Sequence, residues 1–312
     1  MKTENFMIYT VTLNPSLDYV ASVKSFRVGT VNRSEGEAIM PGGKGINVSL
    51  MLKALGHESR TLGFLAGFTG EEIRRLLSAR GISEQFLFLE GGFSRINMKL
   101  KSDDETEING AGPFISATER EDFMRALKAT VRDGDVLVLS GSAPKSLPST
   151  VYADIIEAVS DKNVKIAADV SGQTLWSILP YRPFFVKPNH HELGELFGTD
   201  IQTREQAALY ARKLQDKGAE NVMVSLAGDG AVLVTENAVY YADAPSGEVK
   251  NSVGAGDSAV AGYLAGWLRE NNAERALALA VAAGSATAFS ESIAEGDTVD
   301  SLLSEVKIVR IS

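Results

Sequence analysis

Six short β-rich runs, punctuated by Gly, Asn, Asp or Ser and followed by helical patterns, restrict the folds open to this chain. They are Ile8 to Leu13, Thr61 to Leu65, Val136 to Leu139, Lys165 to Val170, Phe184 to Lys187 and Asn221 to Leu226. Between them the period is helical: Val48, Met51, Leu52 and Leu55 recur at i, i+3, i+4, i+7, with Gly56 placed to end the helix. Ile73, Leu76 and Leu77 before Gly81 repeat the scheme. Alternating strands and helices predict an α/β fold with a mostly parallel sheet covered on both faces. Ligands of such sheets bind outside the carboxyl ends of the strands, so loops that follow strands carry most weight.

Two stretches, about 18–40 and 95–109, are strand-like without intervening helices. In the second, Ile96, Met98 and Leu100 alternate with Arg95, Asn97, Lys99 and Lys101, giving an apolar face and a charged face suited to a ligand. Ser102 to Thr106 reads as a polar hairpin turn. These segments predict a small antiparallel sheet inserted as a lid over one α/β domain that spans residues 1–312.

Charge and composition narrow the function. Lys+Arg 31 against Asp+Glu 40 gives a net charge of −9, which disfavours nucleic-acid partners while leaving room for a cationic pocket. Cys is 0, which removes disulfides, thiolate metal sites and cysteine nucleophiles. The longest purely apolar run, Ala276 to Ala283, is far below the ~20 residues of a membrane helix. The opening MKTENFMIYT lacks the features of a secretory signal, so a cytoplasmic protein is expected.

The strongest local signal is Asn251-Ser252-Val253-Gly254-Ala255-Gly256-Asp257-Ser258 before a small-residue helix. Glycines at a helix start let backbone N–H groups approach a phosphate, and the helix dipole favours the anion. Asp257 there is either a base for a phosphoryl acceptor or simply the cap of the helix. Pro41-Gly42-Gly43-Lys44-Gly45-Ile46-Asn47 is a second Gly-rich turn into a helix, without P-loop or dinucleotide spacing. Gly42 and Gly43 would admit sugar hydroxyls, with Asn47 on the first turn; a plain strand-to-helix turn is the alternative.

In Lys187-Pro188-Asn189-His190-His191-Glu192, Asn189 and Glu192 share one helix face, an arrangement suited to Mg²⁺ held through water. With 3 His and no Cys, a zinc site at His190 and His191 is disfavoured, and adjacent histidines on a helix are expected to diverge. Ser225, Gly228 and Gly230 fall in a loop between strands that would border a nucleotide or merely turn. Asp18 and Ser142 follow other strands and are suited either to a sugar or to local turns.

Taken in order, N-P-S-L-D, P-G-G-K-G-I-N-V, S-R-I-N, S-G-S, K-P-N-H-H-E and N-S-V-G-A-G-D-S resemble the ribokinase-like PfkB carbohydrate kinases over nearly the whole chain. The resemblance implies a three-layer α/β/α sandwich with a β-sheet lid, ATP and Mg²⁺ as cofactors, and Asp257 as the base, with Gly254, Ala255 and Gly256 around the transferring group. It places Lys187, Ser225, Gly228, Gly230, Asn251 and Gly256 at the nucleotide, Asn189 and Glu192 at Mg²⁺, and Asp18, Gly42, Gly43 and Asn47 at the sugar. Many members have Asp-Thr before Gly-Ala-Gly-Asp, where this chain has Asn251-Ser252-Val253. Asn97 to Lys101 and Glu105 to Pro113 most resemble members acting on the 6-hydroxyl of fructose 1-phosphate, with tagatose-6-phosphate members next.

A substrate already carrying phosphate needs cations, and Arg33, Arg95 and Lys44 fall in the lid and the loop beneath it. They are expected to form its seat. Ser142 is placed with this substrate group. Edges of a lid sheet are suited to a homodimer, with no membrane partner. The rival of a different class is a non-catalytic regulator that binds sugar phosphate or nucleotide, which the carboxylate at Asp257 argues against. A dehydrogenase would need a dinucleotide fingerprint, and none is present.

Overall fold

The computed structural model describes residues 6–312; residues 1–5, part of the opening segment discussed above, lie outside them. In chain order the elements are β1 (Ile8–Thr12), β2 (Ser16–Ser22), β3 (Gly36–Gly42), α1 (Lys44–Ala54), β4 (Ser59–Ala66), α2 (Gly67–Ala79), β5 (Ser83–Leu89), β6 (Arg95–Lys101) and β7 (Glu105–Asn109). They continue as α3 (Ala117–Thr130), β8 (Val136–Ser140), α4 (Val151–Ala158), β9 (Lys165–Asp169), α5 (Gly172–Ile178), β10 (Phe185–Val186), α6 (His190–Phe197), α7 (Arg204–Asp216) and β11 (Asn221–Ser225). The last are β12 (Ala231–Val234), β13 (Val239–Ala242), α8 (Ala255–Glu270), α9 (Ala273–Ala288), α10 (Gly296–Leu303) and β14 (Ile308–Arg310).

Ten strands form the central sheet in the order β14-β13-β12-β11-β10-β9-β8-β1-β4-β5. From β5 to β11 every pairing is parallel, and β12, β13 and β14 extend one edge antiparallel. Side chains alternate across it. Tyr9, Val11, Leu137 and Leu139 face one layer with α3 to α7, whereas Ile8, Val136 and Val138 face the other with α1, α8, α9 and α10. The result is a three-layer α/β/α sandwich. β5, β13 and β14 escape the sequence reading because their exposed or short runs lack a strong period. Among the described residues no helix is long and apolar enough to cross a membrane.

β3-β2-β6-β7 form a separate four-stranded sheet over the carboxyl ends of the central strands. It is mixed, not the antiparallel sheet expected: β2 and β6 pair in parallel, Asp18 opposite Asn97 and Val20 opposite Lys99. The cause is topological. β2 follows β1 and β6 follows β5, so both leave the core from the same side and run outward together. The β6–β7 turn falls at residues 102–104, two residues shorter than expected, because Glu105 and Thr106 already pair in β7.

The two faces of the lid differ. Ser16, Asp18, Asn97, Lys99 and Lys101 lie on the face toward the core; Tyr19, Ile39, Met98 and Ile108 lie on the other, in register across four strands. Near its base, Leu17 on that outer side packs with Ile46, Ile73 and Leu77. Farther out, Ile39 is 49% exposed, Met98 41% and Ile108 63%. The apolar face of β6 thus meets solvent, and its polar face meets the interior of the molecule.

Candidate active site

The N-termini of α1 and α8 converge beneath the lid. α8 is preceded by Gly254, its cap residue, whose φ of 84° is left-handed. Asp257 sits three residues further on and therefore does not cap the helix. It is 5% exposed, and its Oδ2 accepts a hydrogen bond from Asn47 Nδ2 at 2.8 Å, from the first turn of α1. Burial, and then the charge of Asp169, push its carboxyl up to about 6; Lys44, Asn47 and Lys187 oppose them. An acid with that value is ionised at neutral pH and remains basic enough to accept a proton from a hydroxyl.

Asp169, at the carboxyl end of β9, organises the cations. Its Oδ2 lies 3.1 Å from Lys44 Nζ and its Oδ1 3.3 Å from Lys187 Nζ. Although burial works to raise it, the charges of Lys187 and Lys44 hold Asp169 below the usual carboxylate range. Lys44 stands above its ordinary value: burial lowers it, but Asp169, Asp257 and Glu192 outweigh that. A Cβ placed on Gly256 would lie 3.2 Å from Lys187 Nζ, so this ammonium stands against the Gly-rich turn. Backbone amides, two ammonium groups and a buried carboxylate base thus surround one point, a combination suited to phosphoryl transfer.

Of the residues expected at the sugar, Asp18 lies on the lid's inward face and Asn47 on α1 beneath it; both line a cavity of about 930 Å³ together with Lys99 and Lys101. Asp18 Oδ1 accepts from Ser16 Oγ at 2.5 Å and Asn97 Nδ2 at 3.2 Å, and Lys99 Nζ is 3.3 Å from its Oδ2. Gly42 is required there, since a Cβ would overlap the Asp18 carboxylate and Ser16 Oγ. Gly43 caps α1 beside them. Arg95 opens β6 and gives its Nε to the carbonyl of Asn14 at 2.9 Å; burial lowers its pKa against the charge of Asp18.

The cation cluster expected from the sequence is not assembled. Arg33 lies exposed on the loop between β2 and β3 and does not line the cavity. Lys44 points to Asp169 instead, and shares a second cavity of about 470 Å³ with Ser142 and Asp169. The reason is tertiary: Lys44 is the first residue of α1, and the buried anion at the end of β9, distant in sequence, holds its ammonium. Asp169 is not singled out by the sequence, whereas Asn97 and Lys99 enter it as part of the charged face of β6. The position of Asp169 at the end of a legible strand was the available signal.

Among the residues expected at the metal and the nucleotide, Asn189 pairs with Ser225 in a parallel bridge, bringing the β10 and β11 loops together. Gly228 is exposed at the loop tip, but Gly230 is buried, where a Cβ would overlap the carbonyl oxygen of Ala242. Its need is packing against β13, a correction to its reading as a nucleotide contact. Asn251 donates Nδ2 to Glu291 O at 3.1 Å and accepts from Val253 N at 3.0 Å, so its amide shapes the Gly-rich turn instead of reaching outward.

Asn189 and Glu192 form a reciprocal capping box: Asn189 Oδ1 accepts from Glu192 N, and Glu192 Oε2 from Asn189 N, both at 2.8 Å. One carboxylate oxygen of Glu192 stays outside the box. No group of three His, Cys, Asp or Glu among the described residues could hold a metal. That oxygen donor set fits an ion that keeps its own waters. His190 and His191 do not diverge as expected: their rings lie 3.9 Å apart, with His190 turned toward Ser225 O.

Comparison with known proteins accords with this geometry. Residues 12–298 match the pfkB family carbohydrate kinases. The chain is 50% identical over 305 residues to a 1-phosphofructokinase of Bacillus subtilis (strain 168), covering 98% of this chain and 100% of that one. It is 32% identical over 311 residues to a tagatose-6-phosphate kinase of Staphylococcus epidermidis, covering 98% and 100%. Phosphofructokinase-2 from Escherichia coli, solved with substrates and products, superimposes with a TM-score of 0.90 at 26% identity, over 96% of this chain and 99% of that one. Fold, site and sequence agree: the chain belongs to the pfkB family of carbohydrate kinases.

Proposed function

We propose that the protein transfers the γ-phosphoryl group of ATP to the 6-hydroxyl of fructose 1-phosphate, releasing ADP and fructose 1,6-bisphosphate. The observation that carries this is the buried carboxylate of Asp257 at the Gly-rich start of α8, raised to about 6, in a chain 50% identical to a 1-phosphofructokinase. The 6-oxygen forms the new bond to phosphorus as the bond to the ADP oxygen breaks. Asp257 takes the hydroxyl proton.

Gly254, Ala255 and Gly256 supply amides to the transferring group, Lys187 meets the nucleotide phosphates, and Asp18, Gly42, Gly43 and Asn47 hold the sugar. Ser225 and Gly228 border the nucleotide. Asn189 and Glu192 would hold Mg²⁺ through water; when bound, the ion neutralises charge on the phosphates. A cytoplasmic setting, where ATP and phosphosugars meet, goes with this reading.

The test is ADP release with MgATP against fructose 1-phosphate, tagatose 6-phosphate, fructose 6-phosphate and fructose. The expected result is a preference for fructose 1-phosphate. Preference for tagatose 6-phosphate would overturn the substrate but not the chemistry, and no turnover with any sugar would favour the non-catalytic regulator.

The row Tyr19, Ile39, Met98 and Ile108 on the outer face of the lid supports a homodimer formed lid against lid, because exposed apolar rows of this size ordinarily meet a partner. Sedimentation should give a dimer for the native chain and a monomer for Met98→Glu. A native monomer at micromolar concentration would refute this assembly.

A further inference from the structure

With Lys44 and Arg33 turned away, recognition of a phosphosugar falls to the cations that line the cavity under the lid. We propose that Lys99 is a specificity-determining residue. In this reading, which rests on the proposed function, its ammonium seats the phosphate that the sugar already carries.

The argument starts from strand geometry. Arg95, Asn97, Lys99 and Lys101 alternate with apolar residues and share the inward face of β6, successive members about 6–7 Å apart. Asn97 lies opposite Asp18, so the sugar-reading carboxylate stands beside the middle of this row with a cation to either side. Lys101 is drawn off to Glu291 at 3.6 Å, and Lys53, the other lysine lining the cavity, donates to Gly81 O at 2.7 Å. Lys99 alone keeps its ammonium beside Asp18.

Its burial points the same way. The Lys99 side chain is only 11% exposed, in a sheet that an apolar residue would stabilise better at that position. Ser16 and Asn97 already hold Asp18 through Oδ1, so Lys99 meets this carboxylate only at Oδ2. Glu107 Oε1 at 3.7 Å is the other acidic partner, on the more exposed strand β7. An ammonium has three donors, and two carboxylates leave one for an incoming oxygen. Asn97 adds an unmet need: its Oδ1 is buried without a partner, beside the same carboxylate, and would accept from a sugar hydroxyl.

Steady-state kinetics with fructose 1-phosphate and with unphosphorylated fructose test the assignment in the native protein, Lys99→Met and Lys99→Arg. The expected result for Lys99→Met is a loss of roughly 30- to 100-fold in kcat/KM for fructose 1-phosphate, mostly in KM, beyond any loss with fructose. Lys99→Arg, which keeps a cation, should recover most of it. Circular dichroism and direct titration with fructose 1-phosphate separate weakened binding from misfolding, and a folded Lys99→Met with native affinity would overturn the proposal. Equal losses on both sugars would also overturn it, because they would mean that Lys99 only supports Asp18. A native protein that turns over fructose 6-phosphate but not fructose 1-phosphate would refute the substrate reading, while the Lys99 effect, then measured on that phosphosugar, would still stand or fall by the same comparison. A native protein silent on every phosphosugar would remove both.

Discussion

Asp257→Asn is expected to lower kcat by about 10²- to 10⁴-fold, the usual contribution of a positioned base, while leaving sugar and nucleotide affinity within a few-fold. The same substitution should stabilise the protein near neutral pH. Burial and Asp169 raise the folded-state value of Asp257 to about 6, from the ordinary 3.8. Between those values the folded chain binds more protons than the unfolded one, so stability is full below pH ~4 and falls as pH rises through ~6. The loss is of the order of 3 kcal/mol at pH 7, and an amide avoids it. Thermal melts at pH 7.5 should therefore place Asp257→Asn several degrees above the native protein. In the native enzyme, kcat should fall below pH ~6 on a single ionisation. Full activity at pH 5, or a destabilised Asn variant, would contradict the environment assigned to this carboxyl.

Asp169→Asn should have an effect of similar size by another route. Asp169 holds Lys44 by one oxygen and Lys187 by the other, and is itself 2% exposed. With a neutral amide there, two ammonium groups face each other without their shared anion. Breaking a buried pair from one side costs about 3–5 kcal/mol; the half-exposed Lys44 relaxes into solvent, so the lower end is expected. Misplaced lysines should lower kcat by about 10²-fold. The distinctive result lies in the pH profile. Removing the Asp169 charge removes one cause of the raised Asp257 value, so the acidic limb should move below pH ~6. A variant that loses activity with its acidic limb in place would show that Asp169 acts only through the lysines.

What could be read from the sequence follows from what is local. The strand starting at Val136 and the helix with Val48, Met51 and Leu52 write their period into neighbouring residues, and the Gly-rich turns at Gly42 and Gly254 mark the ends of elements. Pairing across the chain is not local. Nothing near Lys44 tells whether its ammonium joins Arg95 around a phosphate or turns to Asp169, which is 125 residues away; the placement of β9 and α1 in the fold decides that. The direction of β2 against β6 was hidden for the same reason, being set by the strands from which each departs. Gly230 looked like a ligand-facing glycine because its clash with Ala242 belongs to another strand.

The two-faced lid carries a consequence for how such chains can change length. In a strand, one residue inserted or lost exchanges the two sides. A single-residue slip in β6 would carry Asn97 and Lys99 out to the surface and turn Ile96 and Met98 in toward the sugar, spoiling recognition and the outer apolar row together. Two-residue steps keep each side chain on its side, and the turn at residues 102–104 can absorb any number. Length variation among lids of this design should accordingly collect in the hairpin tip, leaving the parity of β6 intact.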